Sequence, residues 1–450
     1  MASPTYQITD PSTGEVVETF EHTTDAEIEA ALEKSHAAYV EWAARPLAER
    51  AAIVKKAGEI FGERKDELAS IIQREMGKAH DQGVEEAEFA QAIFDYFATE
   101  GPELAADQPI KTFEGGTAVV QKLPIGALLG VMPWNFPYYQ IARFAAPNLV
   151  LGNTVLLKHA ESVPRAALVV EEILQDAGLP DGVYQNVFAT HDQIATIIAD
   201  PRVQGVSLTG SERAGAIIGE LAGKNLKKCV LELGGNDPMV VLDTDDLDAV
   251  VSDAWDFRVY NGGQVCNANK RMIIHEDVYD DFVAKITEKA LAVTDFAPLS
   301  SRRAAEDLDA QVQDAVSKGA TLHAGGVLGE GPAAFYTPAV LTGITQEMRA
   351  YSEELFGPVA SIYKVSSDEE ALELANDTQY GLGGSVIAKD EARARAIAEQ
   401  LQVGMANVNS IAGEGAEIPF GGVKRSGFGR ELGPLGMDEF VNKRMFYVAD

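Results

Sequence analysis

Hydrophobic and polar residues follow two different patterns along the chain. Residues 24–100 carry apolar positions at helical spacing, and "TDAE" at 24–27 is a capping box that predicts the start of a helix. Gly77 in "EMGK" predicts a helix end, because glycine readily adopts the left-handed conformation that closes a helix. These signals predict a helical N-terminal part.

From about residue 117, short apolar runs alternate with helical stretches. The expected strands are "TAVVQK", "IGALLGVM", "TVLLKH", "VYQNVFA", "VQGVSLTG" and "KKCVLELGG". Near-continuous apolar strands that alternate with helices indicate a parallel, doubly wound sheet. After Gly235 a second series follows, with "DPMVVLD", "KRMIIHE", "ASIYKVS", "GSVIAK" and "GMANVN" as strands. The fold class is therefore α/β, with two such units and a ligand site expected in the cleft between them.

Composition narrows the class of protein. The 450 residues are 46% hydrophobic, which is enough for large buried cores. No apolar run reaches the ~18 residues that a membrane helix needs, and "MASPTYQITD" lacks the features of a secretory signal. Two cysteines without CxxC spacing, and histidines that do not cluster with them, argue against disulfides and metal. We therefore expect a cytoplasmic protein without a metal and without a membrane partner.

The chain is strongly acidic. Asp and Glu total 69 against 37 Lys and Arg, which gives a net charge of -32. This charge opposes binding to nucleic acid or to anionic membranes. The acids are interleaved with apolar helical positions, as in "SSDEEALELAND", and are typical of solvated helix faces. Because salt screens such self-repulsion, a halophilic origin is a hypothesis.

Polar residues follow the expected strands where ligands bind in parallel sheets. The motifs are "VMPWNFP" with Asn135, "LLKHAE" with Lys158, "SLTGSERAG" with a Gly-Ser turn, and "LELGGN" with Glu232. Each has a plainer alternative. Asn135 can simply shape a turn, Lys158 can be solvated, and the Gly-Ser turn lacks a full GxGxxG. A strand-end Glu232 with a raised pKa would serve as a general base.

Cys266 lies in "YNGGQVCNANKR", an irregular loop rich in Gly and Asn. A cysteine in such a loop is accessible enough to react, whereas Cys229 in the strand "KKCVLEL" is expected to belong to the core. No Cys-His-Asn spacing is present, so a thiol hydrolase without a cofactor lacks its base.

Taken together, these motifs resemble the aldehyde dehydrogenases, and most of all their succinate-semialdehyde dehydrogenase branch. The resemblance runs from about residue 5 to 448 through "PWNFP", "LKHAE", "TGS", "LELGG", "GQVC", "EELFGPV" and "PFGGVKRSGFGRELG". It implies two Rossmann-like α/β domains plus a small β oligomerisation element, and a homo-oligomer. The implied bounds are 1–101 and 125–234 for the cofactor-binding domain, 235–430 for the catalytic domain, and 102–124 with 431–450 for the oligomerisation element.

The resemblance also implies roles for individual residues. Cys266 would be the nucleophile, Asn135 with the Cys266 N–H the oxyanion donor, and Glu232 the general base. Glu431 would assist proton relay. The residues expected to contact the cofactor, NAD or NADP, are Trp134, Lys158, Glu161, Gly210, Ser211, Glu354 and Phe356. A carboxylate at position 161 favours NAD by repelling a 2′-phosphate, while Lys158 attracts one.

The expected reaction is oxidation of a small aldehyde, succinate semialdehyde, to the acid. Relatives that oxidise semialdehydes often carry two Arg residues for the substrate carboxylate. Arg143 fills the first position, eight residues after Asn135, and is expected to reach into the access tunnel. The alternative is that it neutralises a nearby acid. The second position holds Tyr260, whose hydroxyl can still donate, and the helical position of Arg258 points elsewhere.

Two rival functions remain open at this level. A CoA-acylating dehydrogenase would transfer the acyl group to CoA, and Glu232 weighs against it. A catalytically silent binding protein would not need Cys266, Glu232 and Asn135 together. The segment 291–303 is also shorter than in most family members, which leaves its loop geometry open.

Overall fold

The computed structural model describes residues 5–113 and 115–450. The N-terminal part is a β-hairpin followed by helices, and its elements are β1 Tyr6–Thr9, β2 Val16–Phe20, α1 Asp25–Ala44, α2 Leu47–Glu63, α3 Lys65–Met76 and α4 His80–Leu104. The predicted capping box is confirmed, since Thr24 and Glu27 bond each other's backbone N–H. Gly77 ends α3 with φ of 81°, also as predicted.

Two short strands, β3 Gln108–Ile110 and β4 Thr117–Pro124, lead into the first large sheet. Its elements are β5 Ala127–Val131, α5 Pro137–Leu151, β6 Thr154–Lys158, α6 Pro164–Asp176, β7 Tyr184–Asn186, α7 His191–Ala199, β8 Val203–Thr209, α8 Glu212–Lys224 and β9 Lys228–Glu232. The strands are parallel in the order β9, β8, β5, β6, β7. Every residue of β6 is buried, because helices cover both faces.

The second sheet has the same doubly wound plan. Its elements are β10 Pro238–Val241, α9 Leu247–Val259, β11 Arg271–His275, α10 Glu276–Ala292, α11 Arg302–Ser317, β12 Thr321–Ala324, β13 Ala339–Thr342, α12 Arg349–Ser352, β14 Val359–Val365, α13 Asp368–Asn376, β15 Gly383–Ile387, α14 Glu391–Ala398 and β16 Met405–Val408. The order is β12, β13, β14, β11, β10, β15, β16, and β12 is the antiparallel edge strand. The predicted α/β class with two Rossmann-like sheets is confirmed.

The C-terminal segment returns to earlier parts of the chain. Its elements are β17 Gly427–Phe428, α15 Gly433–Gly436 and β18 Val441–Val448. β17 adds to the edge of the first sheet by pairing antiparallel with β9, which places Gly427 opposite Glu232. β18 pairs along its whole length with β4, and β3 pairs with the other edge of β4. These three strands form a separate small sheet.

Helix α5 begins directly after Asn135 and Phe136. Apart from Tyr139, its residues are buried, because it packs against α2, α4 and the first sheet. The residue before it supplies no side-chain cap. Instead Glu86 of α4 accepts from the N–H groups of Tyr138 and Tyr139, at 2.8 and 3.2 Å, and pairs with the buried Lys78. This cap fixes where α5 begins, and with it the position of Asn135 just before.

Candidate active site

The nucleophile loop joins α9 to β11 and carries Cys266. It turns through Asn261, Gly262 and Gly263, which have φ values of 51°, 62° and 74°. A Cβ at Gly263 would lie 2.3 Å from the backbone of Gly357, so only glycine permits this close approach. The turn leaves Cys266 partly exposed, in the wall of a cavity of about 310 Å³. The predicted nucleophile is therefore accessible.

Asn135 reaches this loop from the end of β5. Its Nδ2 donates to the Gln264 carbonyl oxygen at 3.1 Å, and its own carbonyl accepts from Asn261 Nδ2 at 2.9 Å. The first bond holds the Asn135 side-chain amide against the nucleophile loop, two residues before Cys266, and the second holds the Asn135 backbone there. The structure thus brings together the two residues that the sequence predicted for nucleophile and oxyanion donor.

Arg258 holds the same loop from behind, a role that the sequence did not reveal. Its guanidinium is fully buried and donates to the carbonyl oxygens of Gly263, Leu355, Gly357 and Val359. Burial lowers the pKa of Arg258 to about 10. The side chain ties the nucleophile loop to the segment before β14, and it does not line the cavity beside Cys266.

Glu232 ends β9 with its carboxyl group buried. Among the described residues, neither carboxyl oxygen has a hydrogen-bond partner, and a Cβ at Gly421 would lie 2.6 Å from Oε1. Burial raises the pKa of Glu232 well above its ordinary value, while Arg143 acts in the opposite direction. A buried carboxyl group that protonates easily has the property required of a general base.

Arg143 takes a different position from the one predicted. Its side chain is fully buried, with Nε in an ion pair with Glu431 and Nη2 donating to Thr209 Oγ1 at 3.0 Å. The guanidinium lies behind two tunnel rings, 5.0 Å from the centroid of Tyr139 and 4.6 Å from that of Phe420. It does not line the cavity. Because α5 is enclosed, a cation on it pairs with the nearest buried acid. The prediction of direct tunnel access is corrected in favour of neutralising Glu431.

The residues predicted for the adenosine ribose and the pyrophosphate lie at the carboxyl ends of strands of the first sheet. Lys158 ends β6, and its Nζ lies 2.6 Å from Glu161 Oε1. Ser211 caps α8 by accepting from Ala214 N at 3.4 Å. A Cβ at Gly210 would meet nothing within 4 Å, so the backbone there faces open space. A helix N-terminus beside open backbone suits the pyrophosphate of a dinucleotide, and these residues therefore fit the cofactor.

The remaining residues predicted to contact the cofactor are Trp134, Glu354 and Phe356. The rings of Trp134 and Phe356 pack edge to face with centroids 5.8 Å apart. Glu354 Oε1 accepts from Gly235 N at 3.2 Å and lies 3.1 Å from Lys270 Nζ. Glu354 is thereby held at the boundary between the second sheet and the nucleophile loop.

The cavity beside Cys266 is a mainly apolar tunnel. Its aromatic lining residues are Phe89, Phe136, Tyr139, Phe257, Tyr260 and Phe420. Its charged lining residues are Glu85, Glu86 and Glu414, and none of the lining residues that the structure describes is Lys or Arg. Tyr260 lies in the tunnel as predicted, but its hydroxyl already donates to Glu85 Oε2 at 2.8 Å.

The thiol is held in its less reactive form. Burial raises the pKa of the Cys266 thiol to about 12, and Arg143 and Lys270 act against that rise. At neutral pH such a group is almost entirely protonated, whereas the nucleophile is the thiolate. Cys229 shares the raised pKa of about 12 through burial. It packs against the core of the first sheet, as the sequence predicted.

Comparison with known proteins places this arrangement in a family. Residues 1–446 match the model of the aldehyde dehydrogenase family. The chain belongs to the aldehyde dehydrogenase family. It is 51% identical over 444 residues to a succinate-semialdehyde dehydrogenase [NADP(+)] of Deinococcus radiodurans, covering 97% of this chain and 93% of that one.

Other aldehyde dehydrogenases agree along nearly the whole chain. A succinate-semialdehyde dehydrogenase [NADP(+)] of Mycobacterium tuberculosis is 40% identical, with 98% of each chain covered. The crystal structure of succinic semialdehyde dehydrogenase from Streptococcus pyogenes in complex with NADP+ superposes with a TM-score of 0.96 at 42% identity. That likeness covers 99% of this chain and 100% of the other. The fold and the family predicted from the motifs are confirmed.

Two general features complete the description of this aldehyde dehydrogenase. Within residues 5–113 and 115–450, no helix is long and apolar enough to cross a membrane. In the same part of the chain, no group of three or more His, Cys, Asp or Glu side chains is placed to hold a metal ion.

Proposed function

We propose that this NAD(P)-dependent aldehyde dehydrogenase oxidises succinate semialdehyde to succinate. The observation that carries the proposal is the seating of the Asn135 amide against the nucleophile loop of Cys266, in a chain 51% identical to a succinate-semialdehyde dehydrogenase. A tunnel of about 310 Å³ leading to the thiol supports a small aldehyde as substrate.

Each reacting group has a defined task. The Cys266 thiolate attacks the aldehyde carbon, and the Asn135 amide with the Cys266 N–H stabilises the resulting oxyanion. The bound nicotinamide supplies the hydride acceptor for the oxidation step. The acyl group then remains on Cys266 as a thioester, which water hydrolyses. Glu232 takes the proton from that water, for which its raised pKa suits it.

Residues that follow strands of both sheets would bind the cofactor. Lys158 and Glu161 would hold the adenosine ribose, Gly210 and Ser211 the pyrophosphate, and Glu354 with Trp134 and Phe356 the nicotinamide side. Open space at Gly210 and the helix start at Ser211 support this. Accordingly, we propose residues 1–101 and 125–234 as the cofactor-binding domain and 235–430 as the catalytic domain.

The acidic residues that line the tunnel favour a second candidate substrate, an aldehyde without a carboxylate. Glu85 and Glu414 line the tunnel without a Lys or Arg among its described lining residues, and such a wall repels a substrate carboxylate. An uncharged aldehyde, or one with a terminal ammonium group, avoids this repulsion and meets aromatic faces that attract cations. For succinate semialdehyde the available donors are the amides of Gln140 and Asn267, which also line the tunnel.

A substrate panel decides between the candidates. The rates of NADPH and NADH formation are measured with succinate semialdehyde, butanal and 4-aminobutanal, which share a four-carbon chain and differ in terminal charge. We expect the highest kcat/KM for succinate semialdehyde. A higher value for 4-aminobutanal would replace the substrate and leave the aldehyde dehydrogenase activity intact. No turnover of any aldehyde would favour a binding protein.

A CoA-dependence assay tests the other rival. Since Glu232 is present to activate water, we expect the same rate of acid formation with and without CoA. Formation of an acyl-CoA product at the expense of the free acid would make this a CoA-acylating enzyme.

We also propose that the chain forms a homo-oligomer through the small sheet of β3, β4 and β18. Its residues Met445, Phe446, Tyr447 and Val448 are about half exposed or more, although three of the four are large and apolar. β18 is also an edge strand with unpaired backbone groups, and both features favour association with a second copy. Light scattering measures the mass of the assembly, and a Phe446→Glu variant should reduce that mass.

Two free cysteines support a reducing, cytoplasmic location.

A further inference from the structure

Lys270 is a buried cation at the base of the nucleophile loop. Only about 1% of its side chain is exposed. Its Nζ donates to the carbonyl oxygens of Val265 and Cys266, at 2.7 Å each, and lies 3.1 Å from Glu354 Oε1. Burying an ammonium group is costly unless it is paired and hydrogen-bonded, and here all three of its donors have partners.

These contacts act on Cys266 in two ways. Holding the carbonyls on both sides of the Cys266 N–H limits how that peptide rotates, so the N–H keeps one direction. A positive charge close to the sulfur also favours the thiolate over the thiol. The charged and titratable groups around the thiol are Arg143 and Lys270, which favour the thiolate, and Glu354, Asp237 and Tyr139. Each of these cations is paired with an acid, Arg143 with Glu431 and Lys270 with Glu354, but Lys270 alone also bonds the carbonyl oxygen of Cys266.

We propose that Lys270 is a positioning residue that orients the backbone of Cys266 and activates its thiol, with Glu354 limiting this activation by sharing the same ammonium group. The proposal deepens the proposed function, since it rests on Cys266 being the nucleophile. It gives a reason for a lysine in a loop where solvent does not reach it. It also connects a residue of the nicotinamide side, Glu354, to the nucleophile through one side chain.

The test follows the reactivity of the thiol itself in the protein without cofactor. A Cys229→Ala background leaves Cys266 as the remaining cysteine of the chain. The rate of its alkylation by iodoacetamide is measured from pH 6 to 11. Lys270→Met should slow alkylation about tenfold at a fixed pH below the midpoint, since one unit of pKa is a tenfold change in thiolate. Lys270→Arg should restore most of the rate.

Two further variants make the result decisive. Glu354→Gln should move the alkylation profile the other way, to lower pH, because it removes the carboxylate that shares the ammonium. Lys122→Met is the matched control. The Lys122 side chain is only 6% exposed, donates to the Leu104 carbonyl at 2.7 Å and pairs with Asp438 at 2.7 Å, but it lies in the small sheet. It should leave the profile unchanged.

The outcomes separate activation from a merely structural role. A Lys270→Met protein with lower thermal stability but an unchanged alkylation profile would overturn the proposal. If that variant does not fold, Glu354→Gln decides, and an unshifted profile there would overturn the proposal as well. Because no aldehyde takes part, these results do not depend on which substrate the enzyme oxidises.

Discussion

Asn135 Nδ2 donates to the Gln264 carbonyl oxygen at 3.1 Å, although 129 residues separate them in the chain. Asn135 follows a strand of the first sheet, and Gln264 belongs to the loop that precedes a strand of the second. The bond therefore joins the first sheet to the second beside Cys266, which lines the tunnel. It explains how two motifs of unrelated position form one site.

The first prediction concerns the nucleophile. Cys266→Ala should reduce aldehyde oxidation by more than about 10³-fold, because no other group in the site can form the thioester. Steady-state NAD(P)H formation measures this, and circular dichroism checks that the variant folds. Cys229→Ala is the matched control and should retain activity. Comparable turnover by Cys266→Ala would remove the cysteine from the mechanism.

The second prediction concerns the general base. Glu232→Gln should slow thioester hydrolysis by on the order of 10²–10⁴ and hydride transfer much less. Rapid mixing should show a burst of about one NAD(P)H per active site, followed by a slow phase. The pKa of Glu232 lies above its ordinary value, so its active carboxylate form becomes more populated as pH rises. Wild-type hydrolysis should therefore accelerate with pH, and the variant should lose this dependence. An unchanged steady-state rate would exclude the role.

The third prediction concerns the choice of cofactor. The Lys158 ammonium is occupied by Glu161 at 2.6 Å, and that carboxylate repels a 2′-phosphate. We expect a modest preference for NAD, within about tenfold, because the attraction of Lys158 and the repulsion of Glu161 oppose each other at the 2′-phosphate. The Deinococcus radiodurans relative is a succinate-semialdehyde dehydrogenase [NADP(+)] and the Streptococcus pyogenes structure holds NADP+, which favours the opposite preference.

The matched variants test this balance directly. Glu161→Gln should raise kcat/KM for NADP about tenfold relative to NAD, because it frees Lys158 to meet the 2′-phosphate. Lys158→Met should lower kcat/KM for NADP relative to NAD. A strong NADP preference in the wild type, unaffected by Glu161→Gln, would show that other residues select the cofactor.

The fourth prediction concerns Arg143. Arg143→Ala leaves Glu431 buried without its cation, which typically costs about 3–5 kcal/mol of unfolding free energy. Activity on succinate semialdehyde and on butanal should fall equally, because the side chain does not line the tunnel. Urea unfolding and kcat/KM on both substrates measure these effects. Replacing both partners, as in Arg143→Leu with Glu431→Leu, should recover much of the stability. A loss of 10- to 100-fold confined to succinate semialdehyde would restore a substrate role, a range that corresponds to about 1.5–3 kcal/mol.

The fifth prediction concerns salt. A net charge of -32 should make the folded state repel itself at low ionic strength. The melting temperature should therefore rise clearly between 0 and multimolar KCl, where the screening length falls to about 3 Å or less. Thermal unfolding followed by circular dichroism measures this. A melting temperature independent of KCl would count against the halophilic hypothesis.

Much of the fold was readable from local signals. The capping box at Thr24 and the glycine stop at Gly77 depend on hydrogen bonds within one turn, so short stretches of sequence specify them. Buried strands such as β6 and β10 appear as apolar runs because helices cover both faces. Two antiparallel edge strands, β17 of the first sheet and β12 of the second, were not predicted, since these strands are short and lack a clear alternation.

The sequence by itself determined the two α/β units, the motif set and the identity of Cys266, Asn135 and Glu232 as candidates, because periodicity and motif spacing are properties of neighbouring residues. Only the tertiary structure decided the partners of the buried charges. Arg143 was expected in the tunnel and instead meets Glu431, and Lys270 meets the carbonyl of Cys266. Which acid or carbonyl a buried cation reaches depends on how separate elements dock, and no local pattern encodes that distance.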